Sequence, residues 1–160
     1  MKININIKSQ TLDLIDYQDD ILLQYSISSA LKGTGQDSGS YCTPLGRHII
    51  RAKIGIGEPE NTVFVGRRPT GEIWTPALAA AHPARDWILT RILWLSGCEP
   101  GFNRLGSCDT MRRYIYIHGT PDTTTLGQSG SIGCIRMRNT DLVELFDATP
   151  AYTPVFIVST

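Results

Sequence analysis

From its first residues the chain alternates apolar and polar side chains: Ile3, Ile5 and Ile7 are interleaved with Lys2, Asn4, Asn6 and Lys8. A period of two sends successive side chains to opposite faces, so this segment predicts a half-buried strand rather than a helix. Short strands are expected again at Thr11 to Asp16 and Ile21 to Ser28, with Gln18-Asp19-Asp20 as the turn before the third, and the opening therefore reads as a β-meander. Further strands are expected at Arg47 to Ile56, where Ile50, Ala52 and Ile54 share a face, and at Thr62 to Gly66, Ile73-Trp74, Arg112 to His118 and Pro154 to Ser159. Trp87 to Leu95 is apolar at nearly every position, which suits a buried strand, although period alone does not separate it from a helix.

Two segments depart from this pattern. Pro76 to Ala81 can form a helical turn that His82-Pro83 ends. Thr140 to Asp147 places Leu142, Leu145 and Phe146 at the spacing of a buried helical stripe, with Asn139, Thr140 and Asp141 offering N-cap oxygens. Residues 33 to 46 are too rich in Gly and Ser to be anything but a loop. Many strands and one convincing helix predict a mostly-β protein, and 160 residues without repeat or linker predict a single domain over residues 1–160.

Charge narrows the range of partners. Fifteen basic residues balance fifteen acidic ones, so no positive field is available to hold a phosphate backbone or a membrane surface, and nucleic acid is excluded as a partner. No stretch approaches the ~20 apolar residues of a spanning helix, so membrane insertion is not expected. The N-terminus also lacks the continuous apolar run and cleavage site of a secretory signal. As it stands the sequence predicts a cytoplasmic protein, or a periplasmic one if an export signal has been removed. Cys42, Cys98, Cys108 and Cys134 are scattered, with no C-x-x-C pair. That spacing predicts reduced thiols rather than a disulfide framework or a zinc site, and no metal or organic cofactor is implied.

The chemistry concentrates near the C-terminus. His118-Gly119-Thr120 is followed sixteen positions after the histidine by Cys134, inside Ser131-Ile132-Gly133-Cys134-Ile135-Arg136-Met137. A thiol near its reference pKa of ~8.5 is mostly protonated at neutral pH, so a nucleophilic cysteine needs a base beside it, and a histidine within ~4 Å meets that need. Alternation along Tyr114 to His118 puts Ile115 and Ile117 on one face and Tyr114, Tyr116 and His118 on the other, away from the aliphatic core. The small residues Ser129 to Gly133 form a backbone able to turn N–H groups toward one point, and Gly133 and Cys134 are the expected oxyanion donors. Arg136, two residues after the cysteine, either lowers the thiol pKa and attracts a carboxylate or pairs with an acidic residue; both readings stay open. Ser131 and Tyr116 join Arg136 as candidate substrate-binding residues. His48 and His82 are expected to be structural, and Trp74, Trp87 and Trp94 are read as core or as a stacking groove.

These residues resemble a known signature. Tyr114-Ile-Tyr-Ile-His118-Gly-Thr-Pro, then Ser131-x-Gly133-Cys134-Ile135-Arg136-Met137 and Asp141, with Thr43-Pro44-Leu45-Gly46 upstream, are similar to the L,D-transpeptidase family with its YkuD-type domain. The resemblance implies a β-sandwich-like catalytic domain with one or two short helices, acting on the bond between an L-centre and D-Ala in peptidoglycan stem peptides. It implies Cys134 as nucleophile, His118 as base, the Gly119 carbonyl as the group that orients the ring, and carbapenem-type β-lactams as acylating inhibitors. The thioester would pass to an amine, giving a cross-link, or to water, giving L,D-carboxypeptidase activity in wall recycling. A non-catalytic module that binds stem peptides through Arg136 and the Tyr114/Tyr116 face is the alternative of another class. Where the family usually has Ser-His-Gly-Cys this chain has Ile132, which removes an imidazole from beside the thiol.

Overall fold

The computed structural model describes residues 1–160, and it is mostly β with two helices. The strands are β1 (Lys2–Asn6), β2 (Thr11–Ile15), β3 (Ile21–Ser28), β4 (Gly46–Ile54), β5 (Thr62–Val65), β6 (Arg68–Ile73), β7 (Ile88–Gly97), β8 (Tyr116–Thr120), β9 (Ile135–Arg138) and β10 (Pro154–Val158). The helices are α1 (Pro76–Ala81) and α2 (Asn139–Ala148). Neither is long and apolar enough to cross a membrane. The N-terminal alternation is realised as a meander, β1 to β2 to β3, with Ile3, Ile5, Leu12 and Leu14 turned inward.

β4, β10, β1, β2, β3, β9, β8 and β7 are hydrogen-bonded in that order, and β7 returns to pair with β4. The sheet thus closes on itself as a barrel-like sandwich, which removes the exposed strand edges an open sheet of this size would present. The β5–β6 hairpin extends from β7. Its outer strand β6 is longer than the expected Ile73-Trp74, because an edge tolerates Pro69 and Gly71 where a central strand would not.

The main core joins Ile3, Ile5 and Leu12 to Ile117, Ile135, Met137 and the α2 residues Leu142, Leu145 and Phe146. A second, smaller cluster of Phe64, Ile92 and Tyr116 has Ile54, Trp94 and Cys134 packed on it. A register shift in β4 between Ile50 and Ala52 divides the face expected to carry Ile50 and Ile54 together. Ile50 goes to the main core and Ile54 to the small cluster. The expected N-cap oxygens of α2 are not used as caps: Arg138 occupies the cap position and makes no side-chain cap bond. The other end is fastened by Lys53, whose Nζ donates to the Phe146 and Thr149 carbonyls at 2.7 Å each.

Candidate active site

β8 and β9 are parallel neighbours, with Ile117 opposite Ile135 and His118 opposite Arg136. Paired residues share a face, so Ile117, Ile135 and Met137 enter the main core, while Tyr116, His118, Cys134 and Arg136 lie on the other side. β8 begins at Tyr116, not at Arg112 as expected, because Tyr114 adopts a left-handed conformation (φ +58°) and ends the preceding turn. That turn brings its carbonyl to the thiol. Cys134 Sγ donates to Tyr114 O at 3.4 Å and accepts the Tyr116 N–H at 3.3 Å.

His118 Nδ1 lies 2.6 Å from Gly119 O. A carbonyl can only accept, so Nδ1 carries the hydrogen and the neutral ring presents Nε2 as an acceptor. Nε2 is buried and has no hydrogen-bond partner. The expected direct thiol–imidazole hydrogen bond is absent, since the sulfur is engaged by the two backbone groups.

Burial sets both protonation states. It holds His118 below the usual imidazole range, with Arg136 adding to the effect and Asp86 and the Gly119 bond opposing it. Burial likewise pushes the Cys134 thiol up to about 12, against the Tyr116 N–H, Arg136 and Arg113, while Asp86 pushes it further up. Arg136 therefore acts in the expected direction but is outweighed. The resting pair is a neutral thiol and a neutral imidazole.

The turn before β9 is closed by Ser131, whose Oγ donates to Cys134 O at 2.6 Å and accepts the Gly133 N–H at 3.1 Å. Both Ser131 contacts lie within the turn. Of the two expected oxyanion donors, the Gly133 N–H is engaged and the Cys134 N–H has no protein partner. Gly133 sits at φ +140°, and a Cβ there would stand 3.2 Å from Ile115 Cδ1. Thr43, from the upstream Thr-Pro-Leu-Gly, is fully buried; its Oγ1 donates to Gly133 O at 2.9 Å and accepts the Ala30 N–H at 3.0 Å. The 33–46 loop is held in turn by Arg113, which donates to the carbonyls of Gly35, Gln36 and Cys42 and to Ser40 Oγ.

Arg136 pairs with an acidic residue as one of its readings expects, while its charge still acts on the thiol as the other expects. Its guanidinium spans Gly130 O and Asp86 Oδ1, each at 3.0 Å, and so ties the turn to the segment before β7. Asp86 carried no sequence signal, yet it shares with Cys134 the wall of a cavity of about 460 Å³. Ile132, more than half exposed, and the Tyr114 and Tyr116 side chains line the same cavity. The Tyr116 hydroxyl accepts from Arg67 Nη1 at 3.1 Å. Trp94 packs on the edge of the small core cluster, against Tyr114 and, edge-on, Tyr116, with ring centroids 6.1 and 5.9 Å apart. His48 is buried between Gly46 O and Thr110 Oγ1, and His82 ends α1. A larger cavity of about 560 Å³, around Glu60, Asp122 and Arg138, includes neither Cys134 nor His118.

Behind the histidine lies a polar network around Asn139, which the sequence marked only as an N-cap candidate. Asn139 donates to Thr120 O and Asn61 Oδ1 at 3.0 Å each and accepts from Thr90 Oγ1 at 2.6 Å. A Cβ on Gly119 would collide with Asn139 Oδ1 and stand 2.6 Å from Leu89 O. Glycine is required there for close approach rather than for a left-handed turn.

Residues 1–157 match the family model of the YkuD L,D-transpeptidase catalytic domain. The chain is 33% identical over 132 residues to the probable L,D-transpeptidase ErfK/SrfK of Salmonella typhimurium, covering 74% of this chain and 40% of that protein. It is 28% identical over 152 residues to the probable L,D-transpeptidase YbiS of Escherichia coli K12, covering 89% of this chain and 48% of that one. The chain thus spans less than half the length of these two relatives. Its fold superposes with a TM-score of 0.55 on L,D-transpeptidase 3 from Mycobacterium tuberculosis, solved in complex with a faropenem-derived adduct, at 14% identity over 98% of this chain and 59% of that one. The family match over nearly every residue, together with a closed mostly-β fold shared with solved members, places the chain in the L,D-transpeptidase (YkuD) catalytic-domain family.

Proposed function

We propose that the protein is a cysteine acyltransferase acting on peptidoglycan stem peptides. The observation that carries this reading is the buried, unpartnered Nε2 of His118, on the same sheet face as Cys134 and with its other nitrogen locked on Gly119. A buried polar atom left without a partner is rare, and one on the sheet face that carries a candidate nucleophile is accounted for by proton transfer. His118 takes the thiol proton as the sulfur attacks the carbonyl preceding a terminal D-Ala. The Cys134 N–H steadies the oxyanion, and the same proton passes to the departing amine, leaving a thioester on Cys134. An amine of a second stem peptide then displaces the sulfur and forms the cross-link; water in its place gives L,D-carboxypeptidase activity.

A neutral resting thiol fits this sequence of steps. Buried charge is unfavourable without compensation, so the proton moves only when a bound carbonyl is positioned to receive the electron pair. β-Lactams such as carbapenems, whose strained carbonyl mimics the donor, are proposed to acylate the same sulfur; the faropenem-derived adduct of the Mycobacterium tuberculosis relative supports this.

The test is intact mass after incubation with a carbapenem, alongside release of D-Ala from a tetrapeptide. Wild type should gain one inhibitor mass, located on Cys134, and Cys134→Ala should gain none and release no D-Ala. Cys42→Ala, Cys98→Ala and Cys108→Ala should behave as wild type. An adduct carried by one of those three, or D-Ala release by Cys134→Ala, would defeat the assignment.

A further inference from the structure

Asn139 is the first residue of α2, a place where a polar side chain ordinarily reaches solvent or caps its own helix, yet it is almost fully buried and makes no side-chain bond to α2. Its amide faces β8 instead. Both Nδ2 hydrogens are used, on Thr120 O and Asn61 Oδ1, and Oδ1 accepts from Thr90 Oγ1, so three of the four hydrogen-bonding capacities of the amide are filled within the protein. Oxygens that can only accept stand at one end and a hydroxyl at the other, which determines which end carries the nitrogen.

The far side of this network is held under strain. Thr90 is buried with φ +76°, a conformation that a β-branched residue rarely adopts, and its Oγ1 accepts the Asn61 N–H at 3.0 Å while donating to Asn139. Strain of this kind persists only where surrounding contacts over-determine it, and it gathers at functional sites. Here it fixes the orientation of one amide. That amide brackets the peptide unit joining Gly119 to Thr120: Nδ2 holds Thr120 O, and Oδ1 stands where a Gly119 Cβ would be. The peptide so held carries the Gly119 carbonyl that binds His118 Nδ1 at 2.6 Å. A contact between a ring and the next residue's carbonyl is broken by a modest rotation of that peptide. The imidazole could then carry its hydrogen on Nε2, and the thiol proton would have no acceptor.

We propose that Asn139 is a positioning residue for acyl transfer: by clamping the Gly119–Thr120 peptide it keeps the Gly119 carbonyl on His118 Nδ1 and the imidazole in the tautomer whose Nε2 takes the thiol proton. The proposal rests on the acyl-transfer reading above. It adds that the base is set from the side of the sheet opposite the substrate cavity, by a residue that touches neither sulfur nor imidazole.

The experiment compares wild type with Asn139→Ala, Asn61→Gly and Leu142→Ala. Asn61→Gly takes one acceptor from the amide at a position whose left-handed φ (+68°) suits glycine, so it tests the network even where Asn139→Ala does not fold. Leu142→Ala loosens α2 from the main core without touching the network, and is the control for a merely structural loss. Two quantities are measured on folded protein: steady-state D-Ala release from a tetrapeptide, and the nitrogen-15 shifts of the His118 ring, assigned by their absence from His118→Gln. Wild type should show the tautomer with hydrogen on Nδ1. Asn139→Ala should populate the Nε2–H tautomer and lower kcat by about tenfold or more, with KM changed less than about twofold. Asn61→Gly should move tautomer and kcat in the same direction by less, and Leu142→Ala should melt lower with the kcat and tautomer of wild type. An unchanged tautomer in the network variants overturns the proposal, as does a changed tautomer with kcat unaltered. An equal fall in kcat in Leu142→Ala would reduce Asn139 to helix packing and overturn it as well. Carbapenem labelling of wild type separates the two levels: an adduct on Cys134 with an unchanged tautomer in the variants defeats only the role of Asn139, whereas no adduct and no D-Ala release defeat the acyl-transfer reading together with this proposal.

Discussion

Replacing Thr43 by valine keeps the approximate shape of a fully buried side chain and removes one oxygen. That oxygen accepts the Ala30 N–H and donates to the Gly133 carbonyl, so the variant leaves a donor and an acceptor inside the protein without partners. Each orphaned group costs about 1–3 kcal/mol, partly offset because the hydroxyl itself no longer has to be buried, and a net loss of about 2–4 kcal/mol follows. For a chain of this length each kcal/mol moves the midpoint by about 2–4 °C, so Thr43→Val should melt roughly 5–15 °C below wild type. Thr43→Ser keeps the oxygen and loses a methyl group, at about 1 kcal/mol. Thermal unfolding of the three proteins therefore gives the order wild type, serine, valine, whereas burial of apolar surface alone would put valine first and serine last. D-Ala release should follow the same order, because the lost bond frees the carbonyl immediately before the nucleophile. A valine variant as stable as the serine one would refute the claim that this hydroxyl anchors the Gly133 turn.

His48 is pushed down to about 4, chiefly by burial, so between an unfolded value of ~6.5 and about 4 the unfolded chain binds the extra proton. Stability should fall by about 3 kcal/mol as pH drops through that window, and His48→Gln should lose much of the slope; identical pH dependence of the denaturant midpoints would refute this. Alkylation of Cys134, followed by peptide mass, should rise about tenfold per pH unit from pH 7 to 9 without levelling. Asp86→Asn should speed it roughly threefold or more at pH 8 by removing a negative charge and releasing Arg136, and a plateau in wild type below pH 8 would contradict the neutral resting thiol. Ile132→His should raise the ratio of cross-linked dimer to tripeptide at equal acylation, by returning a polar group to the cavity wall beside Cys134. An unchanged ratio would show that this position does not set the acceptor.

The features legible in the sequence were those with local causes. Alternation revealed the opening meander, the spacing of Leu142, Leu145 and Phe146 revealed α2, and the glycine-flanked histidine and cysteine stood out because few other parts of the chain combine reactive and small residues. Boundaries failed where backbone conformation broke the pattern. Tyr114 looks like one more strand residue, yet its left-handed φ starts β8 two residues later and supplies the carbonyl that binds the thiol. The readings of Arg136 were equally open until Asp86 appeared beside it, fifty positions away in the chain. Asp86 and Arg67 could not have been singled out, because a lone Asp or Arg has no local signature, and Asn139 stood out only as an N-cap oxygen because its partners Asn61, Thr90 and Thr120 are far away in sequence. The sequence pointed to Gly119 for its carbonyl, but the need for a glycine there comes from Asn139, whose approach is visible only in three dimensions.

The parallel pairing of β8 with β9 has a consequence for quality control in the cell. Register in a strand pair is all-or-none: a slip of one residue exchanges the two faces of the displaced strand. If β9 slipped against β8, Arg136 and Arg138 would be driven toward the main core, and Ile135 and Met137 would surface where His118 lies. Such a molecule could not persist as a well-folded species, because the error that shifts Cys134 relative to His118 also buries charge and exposes an apolar strand. Chaperones and proteases that respond to exposed apolar strands would remove the misregistered molecules without sensing the site at all. Correct alignment of the reacting groups is thus inspected indirectly, through the solubility of the fold that carries them.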